Sequence, residues 1–173
     1  MFYLVTGGSG SGKSEYAENL ITSSLFSNRI YLAAMEAWGE EGRKRVLRHR
    51  RLRQGKGFFT IERPRNLKGV LDGRERDAAV LLECMSNLAA NELFSPSGMR
   101  NVHEAENSIK EGIRHLEENS RLLVVVTNEI FSDGVDYGPE TGAYIRLLGR
   151  INVWLAQRAD AVVKVTAGIP EWM

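Results

Sequence analysis

Residues 7 to 14 read Gly-Gly-Ser-Gly-Ser-Gly-Lys-Ser, a full match to G-x-x-x-x-G-K-[ST]. Gly7, Gly8, Gly10 and Gly12 free the backbone to turn, so that successive N–H groups, those of Ser9 and Ser11 among them, can point inward at phosphate oxygens. A helix starting near Lys13 would add its positive N-terminal end to the same anion. Lys13 would reach the β- and γ-phosphates, and the Ser14 hydroxyl would ligate Mg²⁺. A short apolar run, Phe2 to Val5, precedes the motif, and a helical pattern follows it, as a phosphate-binding loop requires.

Such a loop needs a carboxylate partner at the end of a buried strand. Glu83 stands directly after the apolar run Ala78 to Leu82. It could hold Mg²⁺ through water, act on a substrate hydroxyl, or be a strand-end charge in solvent. Cys84 beside it has no activating neighbour in the sequence and reads as structural. Residues 43 to 53 carry six arginines and one lysine around His49. On a helix, Arg45, His49 and Arg53 share a face, and Arg50 adjoins it. Three uses fit: a solvated basic face, a nucleic-acid patch, or a polyphosphate site. In the last, the arginines favour a neutral imidazole that attacks an α-phosphorus and forms a phosphoramidate. No aromatic residues interleave these arginines, which weighs against nucleic acid. His103 and His115 lack such surroundings and read as helix-surface histidines. Asn128 and Glu129 follow the apolar run Leu122 to Val126, where ligand contacts gather in open α/β sheets or a strand end is simply capped.

These residues need elements to hold them. Apolar runs at 2–5, 29–33, 58–61, 78–82, 122–126 and 161–165 read as strands. Between them, 15–25, 40–53, 88–93, 102–119 and 142–158 read as helices, with 94–100 and 133–139 as loops. Alternating strands and helices predict a three-layer α/β domain, with a largely parallel central sheet and helices on both faces. The 173 residues, 43% of them hydrophobic, suit a single domain, 1–173. The formal net charge of +1 supplies no global attraction to nucleic acid, so no nucleic-acid partner is expected. No apolar run approaches the ~20 residues of a membrane span. Met1 to Val5 reads as a strand, not a signal peptide, and one cysteine builds no disulfide, so a cytoplasmic location is expected.

In these motifs the chain resembles the bifunctional adenosylcobinamide kinase/adenosylcobinamide-phosphate guanylyltransferases of cobalamin biosynthesis. The family's G-G-x-x-S-G-K-S is Gly7 to Ser14, and its R-x-x-x-H-R is Arg45 to Arg50. Its L-L-E-C is Leu81 to Cys84, and its V-T-N-E is Val126 to Glu129. Its G-R-x-N is Gly149 to Asn152, and its closing G-I-P is Gly168 to Pro170. The resemblance implies a P-loop NTPase-like fold and two reactions. In one, ATP or GTP phosphorylates the aminopropanol hydroxyl of adenosylcobinamide. In the other, GTP guanylylates a histidine, by position His49, and adenosylcobinamide phosphate takes the GMP to give adenosylcobinamide-GDP. It also implies Mg²⁺ with the nucleotide, no tightly bound organic cofactor, and a homotrimer. Lys13, His49 and Glu83 would be catalytic. The P-loop with Arg45, Arg50, Arg53 and Glu83 would bind nucleotide, Ser14 and Glu83 would hold the metal, and Asn128 and Glu129 would add substrate contacts. Two segments depart from the family pattern. Residues 130–136 replace G-x-G-I-V-P, and Tyr144-Ile145-Arg146 stands where many members read F-R-D. A small-molecule kinase without the nucleotidyl step, and a nucleotide-dependent nucleic-acid-binding module, are the alternatives that the sequence leaves.

Overall fold

A computed structural model describes residues 1–36, 40, 44, 47, 51, 54–74, 76–95, 97–130 and 138–173. The apolar runs form the interior of a seven-stranded sheet. Its strands are β1 (Phe2–Thr6), β2 (Arg29–Ala33), β3 (Phe58–Glu62), β4 (Ala79–Glu83), β7 (Leu122–Val126), β8 (Ala161–Thr166) and β9 (Ile169–Trp172). Their order is β3-β2-β4-β7-β1-β8-β9. Every pairing is parallel except β8 with β9. Two further strands, β5 (Phe94–Ser95) and β6 (Gly98–Met99), form a separate small ribbon where a plain loop was expected.

Side chains alternate across each strand, and this builds two cores. Phe2, Leu4, Val80, Leu82, Leu123 and Val125 enter one. Val5, Ala79, Leu81, Leu122, Val124 and Val126 enter the other. Helix α1 (Lys13–Thr22) covers the second core through Ala17 and Ile21. Helices α2 (Met85–Leu93), α3 (Val102–Glu118) and α4 (Pro139–Arg158) cover the first. The expected layers, with helices on both faces, are therefore present. Strands β4 and β7 read as unbroken apolar runs because both of their faces are covered.

The helix ends follow local chemistry. The Asn101 side chain caps α3 by accepting from the His103 and Glu104 N–H groups at 2.8 and 3.4 Å. Pro139 opens α4, where its missing N–H costs nothing. On α3, Ala105, Ile109, Gly112, Ile113 and Leu116 form the buried stripe. His115 departs from its surface reading. It flanks that stripe with its side chain 13% exposed, and its Nε2 accepts from the Leu71 N–H at 3.2 Å. In the arginine-rich segment Glu40, Lys44, Leu47 and Arg51 are helical. Arg45, His49, Arg50 and Arg53 lie outside the described residues, as do residues 131–137, which include 133–137 of the expected loop.

Candidate functional site

The parallel strands all end at one edge of the sheet, and the chemically capable residues collect there. Strand β1 runs directly into the glycine segment. Gly8, Ser9 and Gly10 are exposed, while Gly7 and Lys13 are buried. The loop turns through Gly10 at φ 71° and Gly12 at φ 90°, conformations that side chains disfavour, and Gly12 caps α1. Lys13 is only 7% exposed, and its Nζ donates to the Gly8 carbonyl oxygen at 2.9 Å. The lysine thus arches back over the loop it closes. Ser11 Oγ is buried and finds no hydrogen-bond partner among the described residues.

Glu83 ends β4, two strands away from β1. Helix α1 packs across the intervening strand and bridges the gap. Ser14 Oγ donates to Glu83 Oε1 at 2.7 Å. The hydroxyl and the carboxylate, 69 residues apart in sequence, are therefore one pair of hard oxygen donors. Mg²⁺ takes oxygen ligands, keeps several waters and needs only one or two protein groups beside substrate phosphates. The Ser14–Glu83 pair fits that requirement. Among the described residues no group of three or more His, Cys, Asp or Glu side chains could enclose a metal.

The end of β7 sits between these parts. The Thr127 N–H donates to the Val5 carbonyl at 2.9 Å, and the Glu129 N–H to the Gly7 carbonyl at 3.2 Å. This stitches the segment to the start of the loop. The Glu129 carboxylate pairs with Lys164 on β8 at 3.1 Å and accepts a long hydrogen bond from Thr6 at 3.4 Å. Asn128 turns the other way, and its amide donates to Ser86 Oγ at 2.6 Å. Ser86 Oγ also lies 3.0 Å from Cys84 Sγ, and the Ser86 carbonyl accepts from the Tyr144 hydroxyl at 3.2 Å. Thr127 Oγ1 donates to Asn152 Oδ1 at 2.7 Å, which ties α4 to the same corner. Burial pushes the Cys84 thiol above its ordinary range, and the Glu83 charge adds to this. Burial and the neighbouring Cys84 push the Tyr144 phenol up to about 12. Both shifts favour the neutral thiol and phenol, and the hydrogen bonds among Cys84, Ser86, Asn128 and Tyr144 make this corner a structural clasp.

The structure thus brings together Gly7–Ser14, Glu83, Asn128 and Glu129 at one edge. It says nothing of Arg45, His49, Arg50 and Arg53. Ser86, Tyr144 and Lys164 escaped sequence reasoning as neighbours of the site. Ser86 follows Glu83 by three residues but is an ordinary type, and Lys164 and Tyr144 are joined to the site across 35 and 58 positions of chain through Glu129 and Ser86.

A parallel sheet with a glycine-lysine-serine loop after β1, a helix capped by that loop and an acid at the end of β4 defines the class. It is a P-loop nucleotide-binding α/β domain. The profile of the family described as "Cobinamide kinase / cobinamide phosphate guanyltransferase" matches residues 3–173, and the chain belongs to that family of transferases. It is 32% identical to the "Bifunctional adenosylcobalamin biosynthesis protein CobU" of Escherichia coli, a match covering 98% of this chain and 97% of that protein. The protein of the same description from Salmonella typhimurium is 31% identical, over 98% and 97% of the two chains. "Bifunctional adenosylcobalamin biosynthesis protein CobP" of Pseudomonas aeruginosa is 29% identical, over 96% and 94%. Among solved structures, the flagellar accessory protein FlaH from Methanocaldococcus jannaschii is similar at a TM-score of 0.48. It is 13% identical, and the match covers 98% of this chain and 74% of that one.

Proposed function

We propose that this chain phosphorylates the aminopropanol hydroxyl of adenosylcobinamide and then joins GMP from GTP to the product, giving adenosylcobinamide-GDP. The observation that carries the kinase half is the 2.7 Å Ser14–Glu83 hydrogen bond beside the Lys13 loop. It supports a place where a Mg²⁺-bound triphosphate would meet an acceptor. The loop's N–H groups and Lys13 hold the β- and γ-phosphates, with Lys13 leaving the Gly8 carbonyl to do so. Ser14 and Glu83 would hold Mg²⁺, which when bound would offset the charge on the phosphate oxygens. The acceptor hydroxyl oxygen bonds to the γ-phosphorus as the bond to the β-phosphate breaks, its proton passes to solvent, and nucleoside diphosphate leaves.

For the second half, His49 attacks the α-phosphorus of GTP, pyrophosphate leaves, and the phosphate of the corrinoid displaces the histidine. Arg45, Arg50 and Arg53 would offset charge on the transferring group. This half rests on the R-x-x-x-H-R pattern and on family membership. A relay through nitrogen avoids bringing the triphosphate and the corrinoid phosphate together in a single step. Asn128 and Glu129 are proposed to act at the rim, Asn128 through its clasp on Ser86 and Glu129 beside Gly7. A homotrimer and a cytoplasmic location belong to the same proposal.

The test is incubation with GTP labelled at the α-phosphate. Label that is acid-labile and base-stable, and absent from His49→Ala, is expected. Unlabelled native protein, or label that persists in the variant, would sink the nucleotidyl half. Turnover of adenosylcobinamide to its phosphate would still stand as a separate measure of the kinase half.

A further inference from the structure

The P-loop does not rest on its own strand alone. A Cβ built at Gly7 would come within 2.4 Å of the Val165 carbonyl oxygen near the end of β8. One built at Gly12 would come within 3.2 Å of Gly168 Cα. Between them, the Ser11 carbonyl accepts from the Gly168 N–H at 2.8 Å. Three of the loop's residues therefore bear on the backbone of β8 and of the turn that follows it. Two of its glycines have a reason to be glycine apart from phosphate.

That turn has a tightly defined backbone shape. Thr166 pairs with Ile169, so Ala167 and Gly168 alone join β8 to β9. Both have positive φ, 51° and 81°, the sign that a two-residue hairpin turn with matching twist demands at both positions. A Cβ on Gly168 would meet nothing within 4 Å, so its glycine serves backbone conformation and not space. Strand β9 is exposed along its length, yet it is tied back. The Trp172 ring meets Tyr3 edge-on at 6.0 Å, and the Met173 N–H donates to the Val162 carbonyl at 2.9 Å. A strand with no buried side chain, bonded to the sheet and carrying a strained turn against the loop, supplies backbone shape in place of core.

We propose that the Ala167–Gly168 turn is a positioning element of the phosphate-binding loop. By bonding to the Ser11 carbonyl and packing on Gly12, it fixes the backbone course of the loop before nucleotide arrives. The anion then meets a cradle already set, and less ordering is required on binding. The proposal rests on the P-loop reading above.

The test measures binding of a non-hydrolysable ATP analogue and of inorganic tripolyphosphate to the full chain, with thermal stability read alongside. Gly168→Val forces the turn out of positive φ and should weaken both ligands by about tenfold. Gly168→Ala should fall between it and the native protein. Gly168→Asn keeps the N–H and tolerates positive φ, and should restore binding to within about threefold of native. Gly73→Val carries like strain at φ 72° in open space, ahead of β4 at the opposite edge of the sheet. It should lose stability without losing affinity. Native-like binding by Gly168→Val, or an equal loss in Gly73→Val, would overturn the proposal. Equal binding by native and Lys13→Ala protein would instead overturn the P-loop reading, and this inference with it.

Discussion

Replacing a helical glycine by alanine should have opposite effects at two places in this chain. Gly112 lies inside α3 and Gly142 in the first turns of α4. At either site the exchange gains helix propensity of up to about 1 kcal/mol. At Gly142 the new Cβ would sit 3.2 Å from Arg146 Nη1, the far end of an exposed, flexible side chain that can step aside. At Gly112 it would sit 2.7 Å from Leu67 Cβ and 3.5 Å from Leu67 Cα. Carbon pairs settle at roughly 3.5–4.0 Å, so Leu67 must move by about 1 Å from its root, where no rotamer change helps. Leu67 is 1% exposed in the main core, and forced shifts of that kind cost about 1–3 kcal/mol. The propensity gain largely cancels between the two variants, so they should differ by about that cost. Gly142→Ala should be neutral or slightly stabilised, and Gly112→Ala destabilised by about 1 kcal/mol. In a thermal melt a gap of 2 kcal/mol corresponds to roughly 4–8 °C for a chain of this size. If Gly112→Ala melts at or above Gly142→Ala, the contact between α3 and the segment before β4 is looser than described, and the reasoning fails.

Lys13→Ala should reduce phosphorylation of adenosylcobinamide by about 100-fold or more, because one preorganised cation on the transferring group is worth that much. Near-native turnover would contradict the P-loop mechanism. Cys84, the single cysteine of the chain, is buried with its thiol pushed up, so a thiol reagent should label it slowly in native protein and completely on unfolding. Rapid native labelling would show that the clasp around Ser86 opens. The Tyr144 phenol, raised from 10.0 to about 12, should be the last part of the tyrosinate absorbance titration and should vanish in Tyr144→Phe. Its contribution to stability is complete below pH 10 and is lost as pH rises toward 12, because the unfolded chain releases that proton first. An unchanged upper limb in the variant would refute the burial argument.

What the sequence made legible follows from how locally each feature is determined. The loop at 7–14 is written in consecutive residues, and strands such as Leu122–Val126 announce themselves because both faces are apolar. Glu83 was readable for the same reason, as the first charge after a buried run. Ser14 was named with it as a metal ligand, but the direct Ser14–Glu83 bond was not readable, since it depends on α1 crossing the strand between β1 and β4. Strand β9 was missed because it has no buried side chain and contains Pro170, which sheets admit at edges. Its existence rests on backbone pairing with β8 and on the turn before it, neither of which leaves a hydrophobic pattern. The expected start of α2 at Leu88 fell short of the observed Met85, because polar Ser86 and Asn87 interrupt the apolar spacing there. Those missed features lie on either side of the P-loop. At β9 the sheet ends in a backbone turn pressed on Ser11 and Gly12, and at α2 a polar clasp begins immediately after Glu83. The residues that would do chemistry are thus set out by pattern, while those that hold them in register act through main-chain shape and long-range hydrogen bonds. A substitution away from the phosphate-binding and acidic motifs, at Gly168 or Ser86, should therefore reach the site more directly than its place in the sequence suggests.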